Sequence, residues 1–164
     1  MDPQLVWFKR DLRIDDHRPL VEAAARGPVV GLYIVEPELL AAPETDPRHW
    51  RFVIGALGEL REALRARGSQ LWIRSGSAVE VLAEVVRDFA FARVWSHEET
   101  GLEVTYARDR AVKKWAAAAG VPWTEIPQFG VVRGLRNRDG WAERWNARMS
   151  EPCASAPGRF AALP

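Results

Sequence analysis

The sequence predicts a doubly wound α/β fold, a Rossmann-like five-stranded parallel sheet in the order 3-2-1-4-5 with helices on both faces. Three observations predict it. Five short apolar runs recur within residues 1–127. Four segments of helical periodicity separate them, and glycines with S/T-x-x-E patterns punctuate the joins. The apolar runs are continuous rather than alternating, as expected of strands buried on both faces.

Leu5-Val6-Trp7-Phe8 is the first strand, closed by the charged stretch Lys9 to Asp16. Asp15 or Asp16 is placed to cap the next helix, with Pro19 in its first turn, Leu20, Val21 and Ala24 inward, and Gly27 at its end. Val29 to Val35 is the second strand. A long helix starts near Pro47, with Val53, Leu57, Leu60 and Leu64 inward and Glu59, Arg61, Glu62 and Arg65 outward. Gly68 stops it. Gln70 to Arg74 is the third strand. Ser77 and Glu80 form a capping box before a stripe of Val79, Leu82, Val86 and Phe89. Phe91 to Ser96 is the fourth strand. Thr100 and Glu103 repeat the capping pattern, and Val104, Ala107, Ala111, Trp115 and Ala119 form the inner face of the fourth helix. Gly120 ends it, and Val121 to Ile126 is the fifth strand, with Pro122 at a strand start or sheet edge. Right-handed crossovers then bring ligands to the carboxyl ends of the strands.

Beyond Pro127 the pattern stops, so residues 1–127 form the α/β domain and 128–164 are expected to be a linker. Gly130 to Gly140 is rich in Arg and Gly, Trp141 to Met149 gives one or two helical turns, and Glu151 to Pro164 mixes Pro, Ala and Ser. A linker with nothing after it reads as a truncated chain. This segment is expected to pack less well than the sheet and to expose Trp141 or Trp145. Trp115 and Trp123 are expected in the core.

The chain has 164 residues, with 23 basic and 22 acidic, which gives no strong field for nucleic acid or an anionic membrane. A single cysteine, Cys153, excludes an internal disulfide framework and a cysteine-based metal site. No leader-like start and no window of about 20 apolar residues is present, so the expected location is cytoplasmic. The glycine signatures of dinucleotide and triphosphate cradles, a G-x-S-x-G elbow and H-E-x-x-H are lacking.

Several groups are candidates for chemistry. Lys9 to Asp16 holds three cations and three carboxylates. It reads either as a clamp for a ligand or second domain, or as a self-satisfied ion-pair network. His97-Glu98-Glu99 reads either as an acid/base or metal fragment, or as acids placed before a helix N-terminus. Glu36 ends the second strand at the same edge. Arg48 and Arg51 share a face at the start of the long helix, either facing an anion or solvated. His17 is expected on a helix surface, and Arg108-Asp109 as a surface ion pair.

Leu5 to Asp16 resembles the signature of the photolyase/cryptochrome superfamily, in outline W-F-R-R-D-L-R-x-x-D, with Lys9 where Arg is more usual. Val35-Glu36-Pro37, Arg51 to Ile54 with Leu57 and Leu60, and Leu71 to Gly76 agree with it. His97 to Gly101, with Tyr106 to Asp109, looks like a bacterial photolyase-related branch. The resemblance covers about residues 4 to 149.

The resemblance implies an N-terminal antenna-binding or architectural domain of a photolyase-like flavoprotein. Its larger helical domain, absent here, would bind FAD and use light to split pyrimidine dimers in DNA. The parent thus resembles a deoxyribodipyrimidine photolyase, and this segment alone is expected to be inactive, without catalytic or metal-binding residues of its own. A cryptochrome-type photoreceptor domain is the alternative, as is a free-standing nucleotide-binding or docking module. The implied partners are the C-terminal helical FAD domain and, through the parent, damaged DNA, with no membrane. An antenna chromophore, either a deazaflavin, FMN or methenyltetrahydrofolate, would lie in or beside this domain. Arg10, Ile34, Val35, Glu36, Arg51 and Glu98 are expected around it, with Arg48 and Glu99 next to them. A folate between the two domains, nearer Glu103, is the competing arrangement.

Overall fold

The computed structural model describes residues 1–162; the last two residues of the expected linker lie outside the described residues. Strands β1 (Gln4–Phe8), β2 (Val29–Val35), β3 (Gln70–Ser75), β4 (Arg93–His97) and β5 (Trp123–Ile126) form one all-parallel sheet in the order β3-β2-β1-β4-β5, as the sequence predicts. The described helices are α1 (Arg18–Ala24), α2 (Pro37–Leu40), α3 (Pro47–Arg65), α4 (Ala78–Asp88), α5 (Glu103–Ala119) and α6 (Trp141–Met149). Among them none is long and apolar enough to cross a membrane.

Every residue of the central strand β1 is buried, and its side chains alternate between two cores. Val6 and Phe8 pack with Leu20 of α1 and Leu57, Leu60 and Leu64 of α3. Leu5 and Trp7 pack with Val81, Leu82 and Val85 of α4 and Val112 of α5. Each fully buried leucine contributes about 2 kcal/mol, so the sheet is clamped from both sides.

Several local expectations change. His17, not Asp15 or Asp16, caps α1, and it is fully buried rather than on a helix surface. An imidazole nitrogen accepts a backbone N–H as well as a carboxylate does. Thr100 does not cap α5, which begins after Leu102 without a side-chain cap. Glu99 draws the Thr100 and Gly101 amides to itself instead. The inner face of α5 is Thr105, Asp109, Val112 and Ala116, turned away from the expected apolar stripe. In α4 it is Ala78, Val81, Leu82 and Val85, and Phe89 is 47% exposed against Trp72. β4 and β5 start two residues later than expected, with Pro122 just ahead of β5.

The segment after β5 divides. Phe129, Val131, Trp141, Trp145 and Met149 are exposed, while Trp145 lies over Gly130, where a Cβ would come within 2.3 Å of the indole. Further on the chain turns back. Ala154 exchanges hydrogen bonds with Asp16, and Phe160 enters the α1/α3 core at 5% exposure, its amide donating to the Arg67 carbonyl at 2.8 Å. Residues expected to be plain linker thus add a hydrophobic anchor to the sheet.

Candidate functional site

The loop after β1 emerges between α1 and α5, and its side chains build two polar clusters. On the α5 side Arg108 is the hub. Its three guanidinium nitrogens donate to Glu36 at 2.7 Å, Glu99 at 2.8 Å and Asp109 at 2.9 Å. Lys9 Nζ reaches the other oxygen of Asp109 at 2.7 Å, and both side chains are 5% exposed. Arg10 donates to Glu99 at 3.0 Å from a side chain that is 57% exposed. Three cations therefore meet three carboxylates, which is what makes their burial tolerable. Lys9 and Arg108 lie over the Trp7 ring at 5.1 and 4.9 Å. Glycine is required at 101, where a Cβ would come within 2.7 Å of the Arg10 guanidinium.

The two glutamates that share Arg108 are not equivalent. Burial raises the Glu36 carboxyl above its ordinary 4.5, and the Arg108 charge offsets this only in part. Burial acts on Glu99 too, but Arg10, Arg108, Lys9 and the Gly101 amide outweigh it and hold Glu99 below its ordinary value. Nearby, burial with the Glu36 charge lifts the Tyr33 phenol to about 12.

On the α1 side Asp11 Oδ2 lies 2.8 Å from His17 Nε2 and 2.5 Å from His97 Nδ1, all three residues being buried. Their donor atoms lie within 4.8 Å of one another, a spacing that suits a metal ion. The cap on α1 decides otherwise. His17 Nδ1 accepts the Leu20 amide at 3.1 Å, so the neutral ring carries its proton on Nε2, facing Asp11. Nε2 is then a donor and has no lone pair for a metal. Burial would raise the Asp11 carboxyl, yet the two histidines outweigh it and hold it well below 3.8. Burial lowers His97 from its ordinary 6.5, with Asp11 opposing. The cluster is a hydrogen-bonded lock between the β1 loop, α1 and β4.

Of the residues expected around a ligand, Arg10, Glu36 and Glu99 are brought together through Arg108. Ile34 is buried in the α4/α5 core, and Val35 is half-buried on the other face. Glu98 points instead toward the segment after β5, bonding Arg133 at 2.9 Å. Arg48 folds back onto Asp46 at 3.0 Å, and Arg51 is exposed on α3. Apolar periodicity alone misses Arg108 and Asp109, because the inner stripe of α5 includes a charged residue. The spacing of Thr105, Asp109, Val112 and Ala116 is itself helical and was the available signal.

Beside Glu36 and Arg108 lies a cavity of about 310 Å³, walled by Leu39, Ala78, Val104 and Ala107. It opens at the carboxyl ends of β2 and β3, between α2, α4 and α5. Its size is near the lower end of the roughly 300–1,000 Å³ typical of ligand pockets. A flat ring with an N–H edge fits this setting. Glu36 commits one oxygen to Arg108 and the walls are apolar. A phosphate tail does not fit beside Arg108, whose nitrogens are all engaged.

Comparison with known proteins bears on this edge. The chain is 46% identical over 87 residues to a deoxyribodipyrimidine photo-lyase of Thermus thermophilus, covering 53% of this chain and 20% of that protein. It is 38% identical over 112 residues to a cryptochrome DASH of Gloeobacter violaceus, covering 64% and 22%. The chain thus spans about a fifth of the length of these relatives. A cryptochrome structure from Synechocystis superposes with a TM-score of 0.81 at 21% identity, over 99% of this chain and 37% of that one. An archaeal photolyase from Sulfolobus tokodaii, solved with two FAD molecules and discussed for a novel light-harvesting cofactor, gives 0.78 at 21%, over 98% and 38%. At such identities these structures speak for the fold alone. The DNA photolyase family model matches residues 4–133, a span that includes both the loop that builds the two clusters and the helix that carries Arg108, and the chain belongs to that family.

Proposed function

We propose that this chain is the antenna-side α/β domain of a light-dependent flavoprotein that repairs pyrimidine dimers in DNA, and that it holds a flat chromophore ring against Glu36. The observation that carries this reading is Glu36 itself. It is a nearly buried carboxylate at the carboxyl edge of the sheet, tied by one oxygen to Arg108 and lining an apolar cavity. When bound, the chromophore supplies light absorption for the flavin of the parent's helical domain. Glu36 accepts a ring N–H, Leu39, Ala78 and Val104 exclude water from the ring faces, and Arg108 fixes the carboxylate. Arg10, the exposed cation of the cluster, is the residue left to meet an anionic tail. Ile34, Val35 and Glu99 support this arrangement from behind. A deazaflavin or FMN suits an acceptor at the ring edge better than a folate does.

Repair is favoured over a photoreceptor role by the higher identity to the Thermus photolyase than to the DASH cryptochrome. The exposed apolar side chains of Phe129, Trp141, Trp145 and Met149 form the surface that meets the helical FAD domain. The protein acts in the cytoplasm, beside its DNA substrate.

Titration of the chain with FMN, a deazaflavin and a methenyl folate, followed by fluorescence quenching, tests the pocket. A flavin-type ring is expected to bind, and Glu36→Ala to weaken it about tenfold or more, as loss of a charge-assisted hydrogen bond does. Equal binding to wild type and Glu36→Ala would move the site elsewhere. No binding of any of the three would leave the domain an architectural role.

A further inference from the structure

Helix α3 presents an outward face that nothing in the chain covers. Its helical spacing sets Arg51, Phe52, Gly55, Gly58 and Glu59 opposite the buried Leu57, Leu60 and Leu64. Phe52 is 78% exposed and Ile54, on the flank, 67%; among the described large hydrophobics only Met1 is more exposed. The two glycines have no intramolecular explanation. A Cβ at either position would meet no atom within 4 Å, and glycine weakens a helix interior relative to alanine. Their remaining effect is to let another surface approach the helix backbone closely.

We propose that this face is a homodimer interface in which α3 packs antiparallel on α3 of a second copy, about a twofold axis at Gly55. The order of residue types along the face selects this occupant. Turned end for end, Gly55 meets Gly55 of the second copy, and Phe52 fills the space over Gly58 of the second copy. In the same register Arg51 meets Glu59 and Arg48 meets Glu62. One register satisfies all four pairings. A parallel arrangement would put Arg51 on Arg51 and Glu59 on Glu59. A partner unrelated to this chain has no reason to be matched by the helix's own charges read in reverse. The twofold axis closes the assembly at a dimer. One helix face buries less than the ~800 Å² per partner of a standard interface, so the dimer is weak, and its exposed ion pairs make it salt-sensitive.

Sedimentation equilibrium of the full chain over a wide concentration range tests this, with circular dichroism verifying that each variant is folded. Wild type is expected to dimerise reversibly, more weakly as salt rises. Arg51→Glu and Glu59→Arg each place like charges in apposition twice per dimer, and each should raise the dissociation constant about tenfold or more. The double variant R51E/E59R restores complementarity and should recover dimerisation. An equimolar mixture of the two single variants should recover it too, as a heterodimer. Gly58→Leu, which fills the recess for Phe52, should abolish it. A chain that stays monomeric throughout, or that is made monomeric by another segment of a longer polypeptide covering α3, overturns the proposal. So do single variants that dimerise like wild type, or a double variant that fails to recover.

Discussion

The two clusters under the carboxyl edge grow from the same loop but secure it in opposite ways. Around Arg108, charges of fixed sign cancel: Lys9, Arg10 and Arg108 against Glu36, Glu99 and Asp109. Around Asp11 a single carboxylate serves two imidazoles whose charge depends on pH. The ionic cluster leaves one carboxylate facing a cavity, whereas the histidine cluster turns its polar atoms on itself. A buried polar group at a sheet edge therefore implies a site only where part of its bonding capacity faces outward. By that measure the α5 side is the functional side, and the α1 side is the hinge-pin that holds the loop in place.

The largest effect is expected from Arg108→Met. It leaves three buried carboxylates short of a counter-charge and should lower unfolding stability by about 3–5 kcal/mol in urea melts. A loss under about 1 kcal/mol would mean that Lys9 and Arg10 suffice and that Arg108 is no hub.

Asp11→Asn comes next. The amide can still accept from one histidine but presents its own N–H to the other, a loss of about 1–3 kcal/mol by thermal or urea unfolding. An unchanged stability would show that the α1 side is not a lock.

Acid should separate the clusters further. Since the native pKa of His97 lies below its ordinary 6.5, the unfolded chain takes up a proton that the native state refuses as pH falls through that value. Stability should therefore decline from about pH 6.5 downward, by at most about 1.4 kcal/mol per pH unit for one proton. Asp11 acts in the same direction lower down. Its native pKa is depressed, so its contribution is complete above 3.8 and is lost as pH falls through the native value. His97→Gln should flatten the upper part of this slope, measured as urea midpoints across the pH series. A slope that survives in His97→Gln would assign it to another group.

The smallest effect sharpens the contrast within the ionic cluster. Glu99→Gln removes a charge that three cations stabilise and should cost about 1–2 kcal/mol. Glu36→Gln removes one that burial already disfavours, and should cost less than about 1 kcal/mol. Paired unfolding curves at neutral pH distinguish them. Equal losses would mean that Glu36 is as fully bonded as Glu99, leaving nothing for a ligand.

The sequence by itself determined the sheet. Runs such as Leu5 to Phe8 and Val29 to Val35 exclude water on both faces wherever they lie, and the intervening periodicities and glycine stops leave a parallel, doubly wound order as the economical arrangement. The resemblance carried by Leu5 to Asp16 marked the right edge, and Arg10, Glu36 and Glu99 were legible there. Only the tertiary structure decided which charged residues are interior. Arg108 and Asp109 read as a surface pair and His17 as a surface residue, because a charge can be buried only when its partners arrive from elsewhere in the chain. For Arg108 they come from positions 36 and 99, and for His17 from the Asp11 that also binds His97. Phe160 was unreadable for the same reason. Periodicity reports how a residue sits on its own helix or strand, while compensation of charge and closure of a core are properties of segments that meet only after folding.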